Sequence, residues 1–219
     1  ETVQYHVNQE SKKHTIIALR DGYHGDTFGA MSAGGRGIFS TPFENHLFDV
    51  EYIDVPIAGK EKESLRQLSK IIKHHNVAGF IFEPLLQGAA GMIMYSPQIL
   101  SEMIHLCNEN DILTIADEVS TGFGRTGKYF AADHLNHKPD IICMSKGITG
   151  GVMALGATSA TAQVYNAFIS DDKSKMFLHG HSYTGNPLAC VVAKASLDLL
   201  QEDDTWTAIK RISTQHHQF

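Results

Sequence analysis

Four short apolar runs, each closing on polar residues, constrain this chain more than any other feature. Thr15–Leu19 leads into Arg20-Asp21-Gly22-Tyr23-His24-Gly25, and residues 78–82 lead into Glu83-Pro84. Residues 113–116 lead into Asp117-Glu118, and Ile141–Met144 leads into Ser145-Lys146-Gly147. Runs of this length with apolar character throughout predict strands buried on both faces. Helix-period segments lie between or beyond them. Residues 61–75 carry Leu65, Leu68, Ile71 and Ile72 on one stripe, residues 97–110 carry Ile99, Met103 and Leu106, and residues 186–200 are rich in Ala, Val and Leu. The alternation predicts an α/β domain whose mostly parallel sheet is flanked by helices. In open sheets of that kind ligands bind outside the carboxyl ends of the strands, where these polar groups fall.

Composition narrows the functional classes. The 219 residues include 24 acidic and 18 basic side chains, a net charge of −6, which argues against a nucleic-acid surface. No basic segment followed by an apolar one marks a signal peptide. Residues 147–170 lack ionised side chains, but their glycines, hydroxyls, Gln163 and Asn166 predict buried loop and strand rather than a membrane span. Cys107, Cys143 and Cys190 are sparse and widely spaced, as expected of buried thiols in a reducing cytoplasm and not of a metal site. The opening residues 1–7 read as the tail of a helix already under way, so the chain is expected to start within a longer protein. The pairs His74-His75 and His216-His217 read as solvated helix faces.

Each candidate site residue has a plain structural alternative. Lys146, placed after a buried run, would lose basicity if it were partly buried and could then bond to a carbonyl, or it could be a surface lysine at a strand exit. Asp117 could hold a pyridine nitrogen protonated, or it could cap a turn. The 29-residue spacing of the two fits one strand–crossover–strand step. Tyr23 and His24 sit in a glycine-bracketed loop, where an aromatic could stack on a planar ligand or simply pack. The turn 179–187 brings hydroxyls to a helix start and suits a phosphate, or it supplies an ordinary cap from Ser182, Thr184 or Asn186. Residues 122–128 match GxGxxG and GxxxxGK, but no strand directly precedes them and Tyr129 stands where a nucleotide loop needs Ser or Thr.

Taken together these segments resemble the class-III, fold-type-I aminotransferases that use pyridoxal 5′-phosphate (PLP). The resemblance rests on residues 22–32, 83–92, 115–127, 145–151 and 179–187, in the family's order over nearly the whole chain. Within the family, residues 23–27 and 146–151 are most similar to the diaminopelargonate branch. That likeness implies amination of 8-amino-7-oxononanoate in biotin synthesis, with S-adenosylmethionine the expected amino donor. Other class-III members acting on ω-amino acids such as 4-aminobutyrate or ornithine form the alternative, and a P-loop nucleotide binder using Gly122 to Lys128 is a more remote one.

The resemblance also implies roles. Lys146 matches the lysine that holds PLP and moves the proton, and Asp117 matches the aspartate on the pyridine nitrogen. Val119 and Tyr23 match residues on the two ring faces, and Tyr23 also borders the substrate. Ser182, with His181 beside it, matches a phosphate donor reaching in from a neighbouring subunit, so a homodimer is implied, with no membrane partner. Gly180 lines the substrate side, and Glu83, His24 and Arg125 are further candidates for orienting cofactor or substrate. Ser182 stands for the usual Thr, and Ser120 stands where many members have Gln. The family's N-terminal phosphate loop and C-terminal small domain would flank residues 1–219, which then form the central part of the cofactor-binding domain. That piece alone is expected to turn over weakly or not at all.

Overall fold

A computed structural model describes residues 13–216. The expected helix tail over residues 1–7, and His217, lie outside the described residues. Eight strands and six α-helices follow in chain order among the described residues: β1 (Thr15–Leu19), α1 (Phe28–Ala33), β2 (Val50–Ile53), α2 (Glu61–His74), β3 (Val77–Phe82), β4 (Leu86–Gln87), β5 (Ile93–Met94), α3 (Pro97–Asn108), β6 (Leu113–Asp117), β7 (Ile141–Met144), β8 (Ala157–Ala160), α4 (Ala162–Asn166), α5 (Pro187–Leu200) and α6 (Asp203–His216). Four single 3₁₀ turns punctuate them, one of which starts at Lys146 (Lys146–Thr149).

The six-stranded sheet runs β2-β1-β3-β6-β7-β8, with β4 and β5 forming a separate hairpin. The first five strands are parallel, and β8 joins β7 antiparallel. The expected mostly parallel sheet is therefore present. Its central strand β3 is almost wholly buried, because helices cover what its Val, Phe and Ile side chains present. The core gathers Ile17, Leu19, Phe80 and Phe82 from the sheet with Leu68 of α2 and Leu100, Met103 and Ile104 of α3. The Phe80 and Phe82 rings lie 5.0 Å apart. Truncating either to Ala would cost about 3–5 kcal/mol. Helix α3 starts where Pro97 takes the first position and the Ser96 side chain accepts from Ile99 N, a cap built from residues that favour it. It stops at Asn108, two residues short of the expected end, because Asp111 turns left-handed at φ 55°.

Two expectations are corrected. Residues 147–170 are largely exposed rather than buried, with Val152 at 72% and Tyr165 at 65% exposure. The cause is topological: β8 is the sheet's edge, and its Ala-Thr-Ser-Ala side chains are too small to recruit a covering layer. The thiols also divide, with Cys107 buried, Cys143 half-buried and Cys190 exposed on α5. Burial pushes the Cys107 thiol up to about 12 and raises that of Cys143 as well. Within the described residues no helix is long and apolar enough to cross a membrane, and no cluster of His, Cys, Asp and Glu could hold a metal.

Register aligns the strand exits. Phe82 pairs with Ala116, so Glu83 and Asp117 are the next residues along β3 and β6. Asp117 itself pairs with Cys143. The carboxyl ends of β1, β3, β6 and β7 thus deliver their polar residues to one edge of the sheet.

Candidate active site

The most buried part of that edge is the exit of β6. Asp117 keeps only 8% of its side chain in solvent, and Oδ2 lies 2.7 Å from His24 Nδ1. A carboxylate in this contact can only accept, so Nδ1 carries the hydrogen and donates. Oδ1 accepts from Val119 N at 3.1 Å. The two bonds compensate the burial of the charge and clamp the carboxylate in one orientation. His24 is as buried as its partner, at 3%, and its Nε2 has no protein partner.

Glu118, the next residue, faces the other way. It is fully buried, and Oε1 accepts from Ala132 N at 2.7 Å while Oε2 accepts from Ala131 N at 3.0 Å and from the Thr121 hydroxyl at 2.6 Å. Burial raises its carboxyl above the usual carboxylate range, and the three donors draw it part of the way back. Glu118 thereby folds residues 119–132 onto the end of β6.

The loop after β1 is held from β3. Glu83 Oε1 accepts from Tyr23 N at 3.1 Å and Oε2 from Gly88 N at 3.0 Å, while Gln87 Nε2 donates to Arg20 O at 3.1 Å. Gly22 leaves little room for a side chain here. A Cβ would meet Leu19 O and His24 Nε2 at 3.2 Å each, tighter than side chains normally pack. Tyr23 is half exposed, and its hydroxyl donates to Asp26 Oδ2 at 3.1 Å. That bond raises the phenol above its ordinary value, helped by slight burial and the carboxylate charge.

Lys146 is exposed, as the surface-lysine alternative has it. Its backbone takes φ +42°, left-handed for a residue with a Cβ, and its amine donates to Ser120 Oγ at 2.9 Å. Val119, Ser120, Arg125 and Lys146 line one cleft of about 760 Å³, closed on the far side by Ile209, Ile212 and His216 of α6.

The structure therefore bonds Asp117 to His24 and Val119, bonds Glu83 to the backbone of the neighbouring Tyr23, and places Val119, Arg125 and Lys146 on one cleft, while Tyr23 lines a separate cavity with Asp26. It does not bring in the turn 179–187. Gly180, His181 and Ser182 are exposed and do not line the cleft, and the turn bonds within itself, His181 N to Thr184 Oγ1 at 3.0 Å. The cap on α5 is Asn186, which accepts from Ala189 N at 2.9 Å. The glycine-rich stretch 122–128 is a loop whose Lys128 amine donates to Asp133 O at 2.9 Å. No α-helix follows to present its N-terminus, so the nucleotide-loop arrangement is not formed.

The bonds made by Asp26 and Gln87, and the buried role of Glu118, escape a reading of sequence alone. Asp26, three residues after Tyr23, was the most accessible of them, since loop carboxylates commonly accept from near neighbours.

A family model described as "Aminotransferase class-III" matches residues 2–218. The chain belongs to the class-III aminotransferase family. It is 44% identical over 210 residues to an adenosylmethionine-8-amino-7-oxononanoate aminotransferase of Synechococcus elongatus, covering 92% of this chain and 50% of that one. A protein of the same name from Geobacter sulfurreducens is 45% identical over 206 residues, covering 88% and 46%. The crystal structure of the Methanocaldococcus jannaschii protein of that name superposes with a TM-score of 0.85 at 37% identity, over 97% of this chain and 49% of that one. An amine transaminase from an uncultivated Pseudomonas species, solved in its PLP-bound form, gives 0.86 at 32% identity, covering 93% and 49%. The chain spans about half the length of these relatives.

The bonded set fits the family's cofactor. Asp117 has used one acceptor site on each oxygen and has capacity left for a ring N–H, and an exposed amine stands at the next strand exit.

Proposed function

We propose that this chain carries the cofactor-binding centre of a PLP-dependent aminotransferase that converts 8-amino-7-oxononanoate to 7,8-diaminononanoate, with S-adenosylmethionine as amino donor. The observation that carries the reading is the pairing of a clamped Asp117 with an exposed Lys146 at neighbouring, registered strand exits, in a chain 44–45% identical to two proteins named for this substrate.

PLP, when bound, supplies an aldehyde that takes up the amino group and a ring that spreads negative charge. Asp117 holds a proton at the pyridine nitrogen, which strengthens that sink. Val119 and Tyr23 confine the ring from opposite faces. Lys146 Nζ takes a proton at the carbon bearing the amino group and returns it to complete the transfer. Glu83 fixes the backbone of Tyr23, His24 holds Asp117, and Arg125 sits in the cleft beside Lys146. His181 and Ser182 bind the phosphate of the partner subunit's cofactor, and Gly180 borders its substrate. That assignment suits the exposure of the turn, which none of the described elements covers. A homodimer would also cover the apolar surface at Leu178, Leu188 and Val191, which are 81%, 71% and 67% exposed. Three free thiols suit a cytoplasmic location.

The test is to add PLP to the full-length protein, record the visible spectrum, and then supply S-adenosylmethionine, lysine or 4-aminobutyrate singly. A visible band that Lys146→Ala abolishes, and that S-adenosylmethionine bleaches, is expected. A band that survives Lys146→Ala would sink the assignment. Bleaching by ω-amino acids alone would move the substrate to that class.

A further inference from the structure

We propose that Ser120 is a positioning residue for Lys146. Its hydroxyl oxygen accepts an N–H from the lysine amine and aims that amine into the cleft whenever it is free. The proposal deepens the aminotransferase reading and rests on it.

Sheet register brings the two residues together. Asp117 and Cys143 are paired across β6 and β7, and Ser120 and Lys146 each lie three residues beyond that pair. Two strand exits of equal length therefore carry one side chain each to the same height above the sheet, where Nζ and Oγ meet at 2.9 Å.

Both exits are braced, so the contact is not a chance meeting of surface side chains. On the serine side Glu118 N donates to Cys143 O at 2.9 Å, Val119 N donates to Asp117, and the Thr121 hydroxyl donates to Glu118. On the lysine side the Ser145 hydroxyl donates to Leu155 O at 2.7 Å, and the Ser196 hydroxyl donates to Gly147 O at 3.3 Å. Gly147 lies flat against Phe123, whose ring a Cβ would meet at 2.9 Å. The left-handed φ of Lys146 is the backbone cost of this placement, and such strain persists only where the surroundings enforce it.

The chemistry suits a hydroxyl. A carboxylate this close would hold the lysine as a tight ion pair and keep it protonated. The carboxylate at the adjoining strand exit, Asp117, is already engaged by His24 and Val119. Ser120 offers a neutral acceptor. A neutral amine spends one N–H on it and keeps its lone pair directed into the cleft, free to take a proton from a carbon. After taking it, the ammonium has one more N–H and can still donate to the same oxygen. Ser120 neither gains nor loses a proton at any stage. The single bond biases a long, mobile side chain without locking it, as an amine that must swing requires.

The experiment compares Ser120→Ala and Ser120→Thr with wild type in the full-length protein. Cofactor-free protein is mixed rapidly with PLP, and the rate at which the visible band appears is recorded. Steady-state kcat and KM are measured on the loaded protein. Loss of one hydrogen bond should slow both band formation and kcat about tenfold in Ser120→Ala, with KM and the thermal midpoint unchanged. Ser120→Thr, which keeps the hydroxyl, should recover to within about threefold of wild type. Band formation at the wild-type rate in Ser120→Ala, or a Thr variant as slow as Ala, would overturn the proposal and leave the cofactor assignment standing. A wild-type protein that forms no band removes the cofactor reading, and this proposal with it.

Discussion

The exit of β6 and the turn 179–187 are both assigned to the same cofactor, yet they are built in opposite ways. At β6 both carboxylates are held before any ligand arrives: Asp117 by His24 and Val119, Glu118 by Thr121, Ala131 and Ala132. At the turn, His181 and Ser182 are in solvent and the bonds are local. The first region is preorganised by the fold of this chain, so its residues carry both stability and chemistry. The second, on the proposed function, acts across a partner subunit, so its residues should carry chemistry and little stability. Mutations should separate the two regions on just that axis.

The largest effect should come from Asp117→Ala. It leaves His24 buried without its acceptor and, on the proposed function, removes the carboxylate that would hold the ring nitrogen protonated. Turnover is expected to fall on the order of a thousandfold, and unfolding free energy by about 1–3 kcal/mol. Denaturant unfolding alongside steady-state assay reads both, and full stability with lost turnover would contradict the buried coupling. His24→Ala comes next. It acts only through Asp117, on the scale of an outer-shell partner, so kcat should drop about ten- to a hundredfold. An unchanged kcat would show that Val119 N alone orients the carboxylate.

Glu118→Gln tests the structural half of the same exit. The amide replaces one acceptor oxygen with an N–H facing backbone donors, so the variant should lose about 3 kcal/mol of stability. The pH dependence has a definite sign. Burial raises the folded-state carboxyl above its unfolded value near 4.5. Glu118's contribution is therefore complete below that value and declines as pH rises through the folded one. The stability advantage of wild type over Glu118→Gln should shrink from acid towards neutral pH, and unfolding titrations showing it grow would refute the burial argument. The smallest effect is expected from Ser182→Ala. Stability should change by less than about 0.5 kcal/mol, while PLP affinity of the dimer falls about tenfold, one hydrogen bond's worth. A matching loss of stability would place Ser182 within its own subunit's fold.

The same division explains what could be read in the sequence. The bounds of β1 and β7 match their apolar runs, and β3 and β6 differ from theirs by one residue. Apolar runs of this kind have few alternatives to a buried parallel strand. Asp117 and Lys146 were legible because each ends such a run. The bond from His24 to Asp117 was not, since 93 residues separate them and only the neighbouring packing of β1, β3 and β6 unites them. The exposure of Lys146 was not legible either. It depends on a left-handed turn at a residue whose type gives no sign of one. Residues 147–170 misled because the absence of charge looks the same in a buried strand and in a surface awaiting cover.

The backbone angle of Lys146 has one more consequence. At φ +42° glycine would sit more comfortably than lysine, so the position proposed to carry the chemistry is one where folding alone favours a different residue. A Lys146→Gly chain should be the more stable molecule and the inert one.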